Sequence, residues 1–190
     1  MTLKHLSMQL FRKKEHLNEW LEGAKANDPR AQKAIYDMLS SKMYALCLRY
    51  MGDRDAAADV LQDGFVTLFS KLGSYMGDGS FEGWARKIFV NMALMSLRKH
   101  DILRQSEDVE EAYGVFDQGS SAIQDIGYKE LLGMVSELPA GFRTIFNLYV
   151  MEGFSHKDIA QMLDIEEVTS RTQLLRARTM LQEKIKNRNK

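Results

Sequence analysis

Two prolines, one cysteine and no net charge are what this 190-residue sequence has least to offer, and each scarcity excludes something. No apolar run approaches the roughly 18 residues that a spanning helix needs, so no membrane insertion is expected. A single cysteine rules out an internal disulfide and a cysteine-based zinc site; Cys47, inside YALCLRY, reads as a small buried hydrophobe. The four histidines, His5, His16, His100 and His156, are scattered, and no glycine-rich phosphate loop occurs. No catalytic residue, metal site or cofactor is therefore expected. The opening MTLKHLSMQLFRKKEHLNEW is basic but has no apolar run ending in a small-residue cleavage site, which points to a cytoplasmic protein.

Lysine plus arginine equals aspartate plus glutamate at 26 each, which in a uniform chain would argue against a nucleic-acid partner. The charges are sorted, however. Residues 171–190 carry seven basic residues against Glu183 alone, a net of +6. Residues 101–130 carry eight acids against Arg104 and Lys129, a net of −6.

With strand-like alternation absent and only Pro29 and Pro139 to interrupt helices, the pattern predicts an all-α chain. Asn27-Asp28-Pro29 reads as a helix start, and Ala31, Ala34, Ile35, Met38, Leu39, Met43 and Leu46 follow at helical spacing until Gly52. A second helix is expected from about Asp55 to Leu72, then a loop SYMGDGS, then a third from about Phe81 to Lys99. The acidic, glycine-dotted segment 101–129 reads as a flexible linker. A second helical block follows, split by Pro139. The economical organisation is two small helical domains, 18–100 and 130–187, on an acidic tether.

Within the second block, SHKDIAQMLDIEEVTSRTQLLRARTML predicts a short helix, a tight turn and a longer helix. Ser155 with Asp158 resembles a capped start. Ser170, Leu174, Ala177, Leu181 and Ile185 form one stripe of the second helix, expected to face the core. Val168, Thr172, Arg176 and Thr179 lie opposite, flanked by Arg171 and Gln173. That is the geometry of a helix-turn-helix whose second helix enters a DNA major groove. Arginine reads guanine edges, glutamine reads adenine, and outward Val168 and Leu175 suit thymine methyls. An ordinary helical hairpin with a solvated basic face fits the same pattern.

Taken with the first block, the chain resembles the extracytoplasmic-function (ECF) group of bacterial sigma factors. The resemblance runs from about Asn18 to Ile185 except for the linker. RDAAADVLQDGFVTLF and GSFEGWARKIFVNMALMSLRK are similar to family region 2, and LPAGFRTIFNLYVMEGFSHKDIAQMLDIEEVTSRTQLLRAR to region 4. It implies a factor that binds core RNA polymerase and directs it to promoter DNA, melting a −10 element with the first domain and reading a −35 element with the second. An anti-sigma protein that covers the polymerase-binding surface is a further partner it implies.

In the second helix, Ala57, Leu61, Gly64, Phe65, Leu68 and Leu72 form an inward stripe, leaving Asp59, Asp63, Val66 and Ser70 outside. Two carboxylates at i and i+4 repel, and a basic partner would relieve them. The resemblance assigns Asp59, Gln62 and Asp63 to the polymerase clamp. On the third helix, Phe81, Trp84, Ile88, Met92 and Met95 on one side and Val90, Ala93 and Leu97 on the other read as core. Around them, Arg86, Lys87, Asn91, Arg98 and Lys99 make a basic rim. By resemblance, Tyr75, Arg86, Asn91, Arg98 and Lys99 hold the −10 element, Tyr75 as a stacking wall for an unpaired base and Asn91 as its hydrogen-bond partner. Lys157, Arg171, Thr172, Gln173, Arg176 and Arg178 are the −35 candidates.

Two departures stand out: Asp164-Ile165-Glu166 where many relatives have Gly-Ile-Ser, and Val168 where glycine is frequent. Two rival readings are a stand-alone helix-turn-helix regulator that binds an operator as a dimer, and an enzyme.

Overall fold

The computed structural model describes residues 16–99 and 126–188, and all its regular elements there are helical. Helix α1 covers 16–25, and α2 is Pro29–Met51. Asp28 caps α2 by accepting from the Arg30 amide, with proline in the first turn where its missing N–H costs nothing. Gly52 ends it in the left-handed conformation, φ 71°, its amide donating to Leu48 O. Helix α3, Arg54–Lys71, is capped by Asp53 and closes in a 3-10 turn, Leu72–Ser74. After the loop comes α4, Phe81–Lys99.

These elements form a bundle around Ile35, Leu39, Met43, Leu46, Leu68, Phe89 and Leu97, each essentially sealed from water. The stripe expected on α3 is buried in full, and Cys47 is buried, its thiol pushed up to about 12 by desolvation. On α4 the expectation of a helix buried on two sides is corrected. Val90, Ala93 and Leu97 are core, but Trp84, Ile88 and Met92 are half-buried and Met95 is 59% exposed. Close approach of α3 and α4 depends on Gly64, since a Cβ there would stand 2.3 Å from the Phe89 ring.

The second block opens with α5, Ile126–Ser136, so the last residues assigned to the tether, 126–129, are already helical. The rest of that stretch, 101–125, lies outside the described residues, as does most of the basic N-terminus. Pro139 caps α6, Ala140–Phe146, which continues as a π-helical turn, Asn147–Met151. Then come α7, His156–Leu163, and α8, Glu167–Arg188. Ser170, Leu174, Ala177 and Leu181 are buried as the stripe requires. Ile185, the last residue of the stripe, is 40% exposed, a departure from the expected core position.

Gly64→Ala tests the α3–α4 contact. Phe89 must leave its rotamer or the helices must part, so urea unfolding is expected to show a loss of about 1–3 kcal/mol. An unchanged midpoint contradicts the close approach.

Candidate polymerase and promoter surfaces

Three surfaces carry the sequence-derived candidates. On α3, Asp59, Gln62 and Asp63 are exposed on one face together with Val66, which is 71% exposed. A large apolar group in water one turn beyond two carboxylates suits a partner that brings both a basic and an apolar surface.

The basic rim of α4 divides. Lys87, Asn91, Arg98 and Lys99 are exposed. Asn91 and Arg98 line a cleft of about 430 Å3 with Thr67, Lys71, Gln161 and Met162. Arg86 is instead held by Glu152, with Nη2 to Oε1 at 3.0 Å and a second bond from Nε. That carboxylate, chiefly through its hydrogen bond, raises the Arg86 guanidinium above its ordinary value. Tyr75 is half-buried. Its ring packs on Phe81 and Trp84 with centroids 5.3 Å away, and its hydroxyl donates to Gly79 O. Asn91 lies two helical turns, about 10 Å, beyond Trp84 along the same helix.

The helix-turn-helix is braced from its first residue. Ser155 and Asp158 form a reciprocal capping box, with Asp158 N to Ser155 Oγ at 3.2 Å and Ser155 N to Asp158 Oδ2 at 3.1 Å. The Ser155 hydroxyl, which donates to Asp158 Oδ2 at 2.5 Å, and then the Ser155 amide hold the Asp158 carboxyl below its usual range. The His156 ring, stacked on Tyr149 at 4.4 Å, meets Ser170 Oγ at 2.9 Å and so ties α7 to α8. Burial, then the nearby Arg171 charge, lowers the His156 imidazole.

On the outer face of α8, Val168 and Leu175 are each 66% exposed, with Arg171, Thr172, Arg176 and Thr179 beside them; Gln173 is half-buried on the flank and Lys157 is exposed on α7. Arg171 pairs with Glu167, and Arg178 stands over the Tyr149 ring at 5.9 Å. Asp164 takes the left-handed conformation, φ 56° and ψ 51°, and its amide closes α7 on Ala160 O.

One polar constellation escaped the sequence reading. Arg49, Arg143, Asn147 and Glu152 are buried where the two blocks meet. Four consecutive carbonyls end α2, and a helix leaves such groups without internal partners. Leu48 O takes the Gly52 amide at 2.8 Å. Arg49 O accepts from Asn147 Nδ2 at 2.9 Å, and Tyr50 O and Met51 O accept from Arg143 at 3.2 and 3.1 Å. Arg143 also donates to Ser136 O and Leu138 O in its own block. Burial pulls its guanidinium down to about 10, which still leaves it charged at neutral pH and well placed at the negative end of α2. The available signal was arginine and asparagine at core-facing positions of apolar helices.

Residues 35–102 match the family described as Sigma-70 region 2, and residues 128–181 match Sigma-70, region 4. The chain belongs to the sigma-70 family. Its relatives include the RNA polymerase sigma-H factor of Pseudomonas aeruginosa, 29% identical over 164 residues, which span 78% of this chain and 85% of the relative. The ECF RNA polymerase sigma-E factor of Haemophilus influenzae is 27% identical over 178 residues, 87% and 93% of the two chains. Among solved structures, the sigma factor RpoE of Bartonella quintana, crystallised with the anti-sigma factor NepR, is similar at TM-score 0.50 and 25% identity, covering 81% of this chain and 96% of that one.

This sigma factor is thus of the ECF type, a transcription initiation factor that directs polymerase to promoters. With regions 2 and 4 in one chain, the stand-alone regulator loses its support. The three surfaces fall within the matched regions, the acidic α3 face and α4 rim in region 2 and the outer face of α8 in region 4.

Asp164 offers a local test. A side chain in the left-handed region costs roughly 1 kcal/mol that glycine avoids, so Asp164→Gly is expected to raise the urea midpoint modestly. A fall shows that the aspartate contributes more than its backbone costs.

Proposed function

We propose that each surface has a separate task in initiation. Asp59, Gln62 and Asp63, with Val66 one turn beyond Asp63, dock on the clamp of core polymerase. Tyr75, Arg86, Asn91, Arg98 and Lys99 hold the unpaired −10 strand, the cations on phosphates and the aromatic and amide groups on bases. Lys157, Arg171, Thr172, Gln173, Arg176 and Arg178 face the −35 duplex, with α8 in the major groove. The working units are 18–100 and 130–187, joined by 101–129. The protein makes and breaks no bond of its own and acts in the cytoplasm on the nucleoid. An anti-sigma protein is a fitting regulator, since a relative of similar fold is solved with one.

The observation that carries this reading is the exposure of the α3 acidic face and the α8 outer face on the two sigma-matched regions of one chain. Among the described residues no helix is long and apolar enough to cross a membrane, and no cluster of His, Cys, Asp and Glu could hold a metal ion. Glu166 and Glu167 place negative charge at the start of α8. Glu167 is neutralised by Arg171, so Arg176 is the better-placed reader of a base edge.

The decisive assay is run-off transcription from genomic fragments with core polymerase, with and without the protein. Specific starts that need both partners support the reading, and no starts despite core binding count against the recognition helix. Arg176→Ala is expected to weaken −35 binding by roughly 1–3 kcal/mol, the worth of one bidentate base contact, with core affinity unchanged. Asp59→Asn with Asp63→Asn is expected to do the reverse, weakening core binding in a pull-down while leaving the isolated chain's −35 binding intact. Unchanged core binding would remove the α3 face from the interface.

A further inference from the structure

A line of methyl groups runs along the outer face of α8. Val168, Thr172, Leu175 and Thr179 recur every three or four residues, which puts them within about 60° of one another on a helix of about 3.6 residues per turn. Val168 and Leu175 are each 66% exposed, and Thr172 and Thr179 are exposed with them. Both threonine hydroxyls are turned back onto the helix: Thr172 Oγ1 donates to Val168 O at 2.9 Å and Thr179 Oγ1 to Leu175 O at 3.1 Å. With each hydroxyl proton held by the carbonyl four residues back, the γ-methyl is the group left to meet a partner. The ridge offers apolar contact and no free hydrogen-bond donor of its own.

Large apolar side chains grouped in water mark a contact surface, and the charge around these says what covers them. Arg176 flanks the ridge on one side and Arg171 and Arg178 on the other, and residues 171–190 carry a net charge of +6. A polyanion with apolar groups on the floor of a groove fits that combination. In the DNA major groove the apolar group is the 5-methyl of thymine. Val168, Thr172 and Leu175 lie in the first three turns of α8, the end of a recognition helix that meets base edges. From Val168 to Leu175 the helix rises about 10 Å, the length of about three base pairs at roughly 3.4 Å each. Thr179 lies one turn farther along.

We propose that this ridge reads thymine methyl groups, so that the −35 stretch recognised by this chain carries thymines within a window of about four base pairs. Val168 and Leu175 set that preference, with the Thr172 methyl between them. The inference rests on the assignment of α8 to the −35 duplex. Flanking arginines take phosphates and guanine edges, whereas the ridge discriminates by apolar contact alone. Cytosine, which lacks the methyl, leaves Val168 or Leu175 facing water across a gap. Burying one methyl group is worth about fourfold in affinity, and two about fifteenfold.

The test uses holoenzyme, core polymerase with the full chain, on a promoter fragment recovered by run-off transcription. Its −35 stretch is synthesised once with thymine and once with uracil, which removes the methyl groups and keeps every hydrogen-bonding group. The expected result is binding weakened about fourfold for each methyl contacted, with no change when the same replacement is made in the spacer between the two elements. Val168→Ala and Leu175→Ala, both at exposed positions and checked for helical content by circular dichroism, are expected to shrink the uracil penalty. Equal binding of the thymine and uracil duplexes by the parent chain overturns the ridge, as does a −35 stretch without thymine. A uracil penalty that both variants retain in full overturns it too, because the methyls then act through the duplex and not through these side chains. Arg176→Ala separates the inference from the assignment beneath it. It is expected to weaken binding to both duplexes and to keep the uracil penalty. If uracil has no effect while Arg176→Ala still weakens binding, the ridge fails and the −35 assignment stands; if neither changes binding, both fail.

Discussion

The last turn of α2 presents carbonyls that its own helix cannot satisfy, and the placing of the second block follows from how they are met. Asn147 and Arg143 project from α6 and its π-helical extension onto Arg49, Tyr50 and Met51. Gly52 makes this possible twice over. It turns the chain in the left-handed conformation, and its missing Cβ leaves room for the Arg143 guanidinium, which would otherwise stand 2.7 Å from that carbon. Glu152, at the end of the same extension, reaches Arg49 and Arg86 from there. A backbone need in one domain is thus met by side chains of the other, and the α4 rim is brought under α7 as a result.

The same logic separates what holds the fold from what is left for partners. Buried stripes on α2, α3, α4 and α8 are made of aliphatic and aromatic side chains at helical spacing, and they close each block on itself. Residues left outside those stripes are sorted by chemistry: carboxylates with a valine on α3, cations with an amide on α4, and arginine, threonine and valine on α8. Within the helix-turn-helix, the capping box, the His156–Ser170 bond and the left-handed Asp164 fix how α8 is presented. Arg171 is engaged by Glu167 and Arg178 by Tyr149, which leaves Arg176 the less encumbered arginine on that face.

Much of this was legible in the amino-acid sequence, since helix spacing and caps are local. The boundaries of α2, α3 and α4, the α3 stripe and the turn at Asp164 follow from patterns within a few residues. Ile185 and Met95 departed from their stripes because periodicity says which face a residue is on, not how far the neighbouring helix extends. Tyr75 and Asn91 were paired by analogy, and the packing of the Tyr75 ring on Phe81 and Trp84 leaves no mark in a helical period. The junction was illegible for a different reason. Arg49 and Glu152 are 103 positions apart and Arg86 and Glu152 are 66 apart, and no helical period links them.

Promoter elements about 25 base pairs apart are separated by roughly 85 Å of duplex at about 3.4 Å per pair, whereas a compact chain of this length has a radius of gyration of only about 16 Å, so the two blocks must part for both to be held at once. Met95 and Gln161 line the same cleft from opposite blocks, and neither belongs to a proposed contact surface. With cysteines at both positions, joined by a short cleavable thiol cross-linker, the closed chain is tested in run-off transcription before and after reduction. The account predicts no transcript from the linked chain and full recovery once the link is cut. Equal transcription from the linked and the reduced chain would contradict it.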